Sequence, residues 1–291
     1  MPKTNPLSIL VTGASGQLGS ELALLAKNHS DITWCFTDRS TMDLTDQAAI
    51  ARVIDEKKPD IIINAAAYTA VDHAESEPEL ANTINHLAVT QLAQSAKEIG
   101  ASLIQISTDY VFNGQQCRPY AEGDSADPKN IYGRTKLAGE QAFIASGAAG
   151  IIIRASWVYS LYSNNFVATM NRLGRERDSV NVVSDQIGSP TWARDLAQAL
   201  IDICLSGKLA DKQAEIYHYS NEGVCSWYDL AWVIMQQQSL NCVVNPIKTE
   251  QHPTPARRPH MSLMWKDKIK QDFDLSIPHW LESIKKALPE F

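Results

Sequence analysis

The chain has 291 residues, a formal net charge of −7, and 44% hydrophobic residues. That length supports a full core, as one large α/β domain or a nucleotide-binding domain with a smaller lobe. The acidic balance and dispersed basic residues exclude a nucleic-acid surface. With no signal peptide and no apolar run of membrane-spanning length, a cytoplasmic protein without a membrane partner is expected.

In chain order, Ser8-Ile9-Leu10-Val11-Thr12 reads as a buried strand that runs into Gly13-Ala14-Ser15-Gly16-Gln17-Leu18-Gly19 and an amphipathic helix from Glu21 to Ala26. Glycine at 13 permits a tight turn, Gly16 lets backbone approach a pyrophosphate, and Gly19 lets the helix pack on the sheet. The free amides of the helix start, around Ser15, Gln17 and Leu18, then face phosphates. The spacing is Gly-x-x-Gly-x-x-Gly, which makes a dinucleotide site with a variant turn the expectation.

A second strand, Thr33 to Thr37, ends at Asp38-Arg39, where an acidic residue meets the adenosine ribose. Asp38 favours the free hydroxyl of NADH and Arg39 the phosphate of NADPH, so cofactor preference stays open. Asp43 and Leu44 precede a helix starting near Asp46 and are candidates to flank the adenine. A third strand, Asp60 to Asn64, ends in Ala65-Ala66-Ala67, whose small side chains leave room for a flat cofactor or for helix packing.

Helices are expected near Glu75 to Glu98 and Ile131 to Ile144, each followed by a glycine, at Gly100 and Gly147. Between them the strand Ser102 to Ser107 delivers Thr108 and Asp109 to its carboxyl end, the ligand-binding edge of a doubly wound sheet. After the strand Ile151 to Arg154 the texture changes. Helices are expected near Phe166 to Leu173 and Ala193 to Leu205, with a short strand near Val180 to Val183. The proline-rich stretch Asn245 to Pro259 reads as an ordered arm.

The fold expected is α/β: a Rossmann-type doubly wound parallel sheet with a smaller C-terminal substrate-binding lobe. Residues 1–155 form the cofactor domain, segments within 180–220 return to it, and 156–291 are mainly the substrate lobe. Five scattered cysteines read as reduced thiols. The seven histidines lack ligand spacing, so no catalytic metal is expected.

The chemistry concentrates in Ile131-Tyr132-Gly133-Arg134-Thr135-Lys136, which places a phenol and an ammonium four residues apart on one helix face. A tyrosine ionises near pH ~10, so a nearby cation is needed to favour its phenolate. Lys136 is that cation. Thr108 at a strand end completes a set of hydroxyl, phenol and ammonium.

This set and the glycine-rich turn resemble the extended short-chain dehydrogenase/reductase superfamily. Residues 64–72, 107–112, 154–159, 184–191 and 253–259 further resemble the dTDP-4-dehydrorhamnose reductase family, over nearly the whole chain. The resemblance implies reduction of the 4-keto group of dTDP-4-dehydro-β-L-rhamnose by NADPH or NADH. In that implied scheme Tyr132 donates the proton, Lys136 holds the cofactor ribose and lowers the phenol pKa, and Thr108 hydrogen-bonds the ketone. Val71, Asp109, Tyr110 and Trp157 belong to the implied substrate site, and Arg258 faces the diphosphate.

Some family members carry Mg²⁺ between subunits of a homodimer. Glu21 matches one ligand position, but Arg194 stands where another carboxylate is expected, which argues against that bridge. Residues 260–265 also depart from the polar sequence usual after the Arg-Pro pair. Two other readings share the motif: a nucleotide-sugar epimerase or dehydratase that retains NAD, and a non-catalytic regulatory subunit like the methionine adenosyltransferase β subunit.

Overall fold

Near-continuous runs of Ile, Leu and Val suit strands covered on both faces, and a computed structural model, describing residues 6–291, forms a parallel sheet from them. The first half alternates strand and helix: β1 (Ser8–Thr12), α1 (Gln17–Leu25), β2 (Thr33–Thr37), α2 (Gln47–Lys57) and β3 (Ile61–Asn64). Then follow α3 (Val71–Ala74), α4 (Pro78–Asn82), α5 (Ala88–Ile99), β4 (Ser102–Thr108), α6 (Ile131–Ser146) and β5 (Gly150–Ala155). The second half contains β6 (Val158–Tyr159), α7 (Phe166–Glu176), β7 (Ser179–Val183), β8 (Ile187–Gly188), β9 (Thr191–Trp192), α8 (Ala193–Leu205) and β10 (Gln213–Tyr219). It closes with β11 (Cys225–Ser226), α9 (Trp227–Gln237), β12 (Val243–Ile247), α10 (Asp267–Phe273) and α11 (Trp280–Ala287).

The six-stranded sheet has the order β10-β5-β4-β3-β1-β2, with every neighbour pair parallel. The chain winds outward from β1 to β2, then crosses to β3 and continues the other way. The switch point between β1 and β3 therefore opens a crevice at the carboxyl ends of those strands. Each face of the sheet is sealed by its own core. Leu18 and Leu22 of α1 pack with Leu196 and Leu200 of α8 over Ile9, Val11 and Ile63. On the opposite face Ile50 and Ile54 of α2, Leu92 of α5 and Phe143 of α6 cover Leu10, Ile62 and Ile152.

A separate core joins α7, α9 and α11 through Val167, Ile234 and Ile284, and includes Val180, Val182 and Val244. Accordingly β7 pairs with β12 in a two-stranded parallel sheet of its own, while β10 takes the edge beside β5. The helical stretch expected from Glu75 to Glu98 is interrupted. Pro78 opens α4 at its first turn, a π turn spans Thr83–Leu87, and only then does α5 run to Gly100, whose φ is 72°. The arm at 245–259 is partly strand, since β12 includes Pro246. Pro246 carries no amide hydrogen, which suits an edge position.

All five cysteines are unpaired thiols. Among the described residues, no helix is long and apolar enough to cross a membrane.

Candidate active site

A cleft of about 930 Å³ lies at the crevice, near the upper end of the range for small-molecule sites. Gly13, Ser15, Gly16, Gln17, Leu18, Asp38, Arg39, Asp43, Leu44 and Ala65 to Ala67 line one end. Val71, Thr108, Asp109, Tyr110, Tyr132, Lys136, Trp157 and Arg258 also line it. Gly19 is buried instead and does not line the cleft. A Cβ at Gly19 would strike the Gly13 carbonyl and come within 2.7 Å of Ala14 Cα, so glycine there is a packing requirement.

The glycine turn fits a dinucleotide. Gly13 has φ 68°, and a Cβ on it would meet Ala66 Cα at 2.8 Å, which ties the turn to the end of β3. Helix α1 starts at Gly16 with no side-chain cap and no acidic residue in its first turn. The orphan amides of that turn are thus left for an anion, on the positive end of the helix dipole.

Asp38 is turned toward its own loop. Its Oδ1 accepts from Ser40 N at 2.9 Å, Ser40 Oγ at 2.6 Å and Thr41 N at 3.1 Å. The Ser40 hydroxyl bond is the main cause holding its carboxyl below the ordinary value. The Arg39 side chain is 86% exposed and, among the described residues, pairs with Asp43 at 3.5 Å.

Tyr132 and Lys136 sit in the first two turns of α6. Asn130 caps that helix, accepting from Gly133 N at 2.7 Å, and donates to the Arg257 carbonyl at 2.8 Å, so the helix start is tied to the proline-rich arm. Gly133 allows close approach: a Cβ there would strike the Tyr110 carbonyl. The Tyr110 ring meets Tyr132 edge-on at 5.5 Å. Lys136 is 3% exposed, and its Nζ donates to the Ile106 carbonyl at 2.6 Å. Burial pulls its ammonium down to about 8, against the opposing pull of Glu140.

The phenol behaves differently from the expectation that Lys136 would lower it. Burial pushes Tyr132 up to about 12, the Thr108 hydroxyl opposes that rise, and the Asp109 charge adds to it. The Tyr132 phenol therefore keeps its proton at neutral pH. The strand carbonyl takes one of the three N–H donors of the ammonium. Thr108 Oγ1 donates to Asp109 Oδ1 at 3.0 Å and accepts from Tyr110 N at 3.2 Å. Asp109 is 1% exposed. Burial, partly offset by the hydroxyls of Ser262 and Thr108, lifts its carboxyl to about 7.

Arg258 reaches the cleft already paired. Its Nη1 and Nη2 donate to the two oxygens of Asp72 at 3.0 and 2.7 Å, and Nη1 donates to Thr254 Oγ1 at 2.6 Å. An anion there meets an ion pair rather than a lone cation. Trp157 has a left-handed backbone, φ 49°, which is strained for a bulky residue. Its indole stacks on Trp227 at a centroid distance of 3.6 Å and an interplanar angle of 10°. Trp227 also lines the cleft, as do Phe166 and Asn165.

A family model described as the RmlD substrate binding domain matches residues 7–291. The chain belongs to the dTDP-4-dehydrorhamnose reductase family. The Escherichia coli K12 dTDP-4-dehydrorhamnose reductase is 39% identical over 98% of each chain, and the Bacillus subtilis spore coat polysaccharide biosynthesis protein SpsK is 39% identical over 97% of each. A dTDP-4-dehydrorhamnose reductase from Bacillus anthracis, solved in complex with NADP, superposes with a TM-score of 0.93 at 37% identity, covering 98% of this chain and 99% of that one. A Streptomyces venezuelae dTDP-glucose 4,6-dehydratase shares the fold alone, at 14% identity and a TM-score of 0.79.

The Mg²⁺ that some reductases of this family carry does not fit these residues. Arg194 Nε donates to Glu21 Oε2 at 2.8 Å, and Nη1 and Nη2 donate to the Glu290 oxygens at 2.7 and 2.8 Å. A fixed guanidinium thus neutralises the carboxylates a divalent cation would need. Among the described residues no group of three or more His, Cys, Asp or Glu could hold a metal ion.

Trp227, Phe166 and Asn165 were not legible as site residues in the sequence. Trp227 follows the capping box of Ser226 and Asp229 and reads as an ordinary helix start. Its place beside Trp157 depends on packing between α7 and α9, which no local pattern encodes.

Proposed function

We propose that the protein reduces the 4-keto group of dTDP-4-dehydro-β-L-rhamnose to dTDP-L-rhamnose, using NADPH or NADH. The observation that carries this reading is one cleft lined by both the glycine turn and the set Thr108, Tyr132 and Lys136. When bound, the reduced nicotinamide supplies a hydride to C4. Tyr132 gives its proton to the developing alkoxide, and its raised pKa keeps that proton in place until the oxygen becomes basic. Thr108 orients the ketone oxygen, and Lys136 holds the cofactor ribose. Val71, Asp109, Tyr110 and Trp157 contact the sugar, with Arg258 and Asp72 toward the diphosphate. In this reading residues 1–155, joined by β10, form the cofactor half, and most of 156–291 forms the substrate lobe.

The test is loss of reduced-nicotinamide absorbance when the keto-sugar, generated in place, meets the protein with NADPH or NADH. Turnover that depends on the protein supports the reading. Cofactor binding without turnover would overturn it in favour of another keto-sugar or a regulatory role.

Either cofactor is admitted in this reading: Asp38 is the acidic residue at the ribose end, and the exposed Arg39, held only by a long 3.5 Å pair with Asp43, can turn to a 2′-phosphate. Arg39→Ala is expected to raise KM for NADPH about fivefold and leave that for NADH unchanged, as suits one exposed ion pair. Steady-state kinetics with each cofactor check this. Trp227→Ala, by unstacking Trp157, is expected to raise KM for the sugar about tenfold with KM for NADPH within about twofold. Varying each substrate in turn separates the two.

A further inference from the structure

Glu140 and Arg154 form the most deeply buried ion pair among the described residues, at 1% and 3% exposure. Arg154 Nη2 donates to Oε2 at 2.7 Å and Nε to Oε1 at 3.0 Å. The desolvation penalty of such a pair rivals its attraction, so apolar residues would hold the two elements together as well. Its position suggests what else it does. Glu140 lies four residues after Lys136 on α6, on the same helix face.

The carboxylate also reaches β4, because Ser107 Oγ donates to Glu140 Oε1. Along the end of that strand, Ile106 O accepts from Lys136 and from Gln105 Nε2 at 2.7 Å, Ser107 is held by Glu140, and Thr108 donates to Asp109. The strand end that presents Thr108 and the helix that presents Tyr132 and Lys136 are thereby clamped through Glu140.

We infer that Glu140 is a positioning residue: its carboxylate, locked by Arg154 and Ser107, keeps the buried Lys136 ammonium charged and holds Thr108 in register with Tyr132. The inference rests on the proposed roles of Tyr132 and Lys136. Burial is the main force discharging Lys136, and Glu140 is the charge that opposes it. Tyr132 shares the helix face, Asp109 lies on the turn after β4, and Glu75 accepts from Ile131 N at the start of α6. Beyond Glu140 stand Arg154 on β5 and His218 on β10. Burial first, then Arg154, pushes His218 down to about 3, so it is neutral.

The experiment compares wild type with Glu140→Gln, Glu140→Asp and the double variant E140Q/R154M. E140Q leaves Arg154 buried without a counter-charge, so the double variant carries the test if the single one does not fold. E140Q is expected to move the alkaline limb of kcat down by about one pH unit, which reads as about fivefold lower turnover at pH 8 and little change at pH 6, and the double variant to move it the same way by less, because a neighbouring positive charge leaves with Arg154. E140D keeps the charge and is expected to leave the limb in place. A merely structural role lowers thermal stability without moving the limb, and a folded double variant with the wild-type limb overturns the inference. NADPH affinity, followed by fluorescence across the same pH range, needs no turnover. If wild type proves inactive, a downward shift of its alkaline midpoint in the variants supports the inference, and an unmoved midpoint overturns it.

Discussion

Tyr132→Phe is expected to lower kcat by about 10²-fold or more while leaving NADPH affinity within about twofold. The substitution removes one oxygen and retains the ring that meets Tyr110 edge-on. Fold and cofactor cradle are thus preserved, since the glycine turn lies on other elements. What disappears is the proton. An aliphatic hydroxyl such as that of Thr108 is a far weaker acid than a phenol, so it can hydrogen-bond the ketone oxygen without replacing Tyr132 as the proton source. Stopped-flow or steady-state loss of reduced-nicotinamide absorbance, beside a fluorescence titration of NADPH, measures both quantities. A phenylalanine variant that turns over at the wild-type rate would remove Tyr132 from the mechanism.

Lys136→Met is expected to damage binding and turnover together: about 10²-fold in kcat and about tenfold in NADPH affinity. Methionine fills the same channel without the ammonium, so the loss reports charge and hydrogen bonding. The lysine donates to Ile106 O, which positions the strand end that carries Thr108. The pH dependence supplies a second check. With its ammonium pulled down to about 8 by burial, Lys136 is charged below that pH and neutral above it, so wild-type turnover falls as pH rises through that value. The methionine variant should lack that alkaline limb. If its low turnover still falls near pH 8, another group is titrating and the lysine assignment fails.

Local signals made much of the Rossmann half legible. A strand of Ile, Leu and Val, a turn that needs glycine at 13 and 19, and a helix start without a cap are all written within residues 8–25. The same holds for α6, where Gly147 marks the end and helical spacing brings Tyr132 and Lys136 to one face. Boundaries were less legible where two signals competed. Pro78 and the π turn divide a stretch whose hydrophobic pattern reads as one helix.

The second half was less legible because its order comes from long-range pairing. The strand at Ser179–Val183 pairs with β12, more than fifty residues on, and not with the central sheet. Charges followed the same rule. The sequence places Arg194 far from Glu21 and Glu290, and only folding shows that its guanidinium bridges them.

By itself, then, the sequence determined the parallel sheet, the glycine-rich turn and the placing of Tyr132 and Lys136 on one helix face, because each depends on spacing along one strand, turn or helix. Only the tertiary structure decided which groups each of them meets. It set Trp227 behind Trp157, Asp72 on Arg258, the ammonium of Lys136 on a strand carbonyl, and Glu140 between helix and strand. The physical reason is desolvation. A side chain's partner and its proton affinity are set by what surrounds it once water is removed, and those surroundings come from elements distant in the chain.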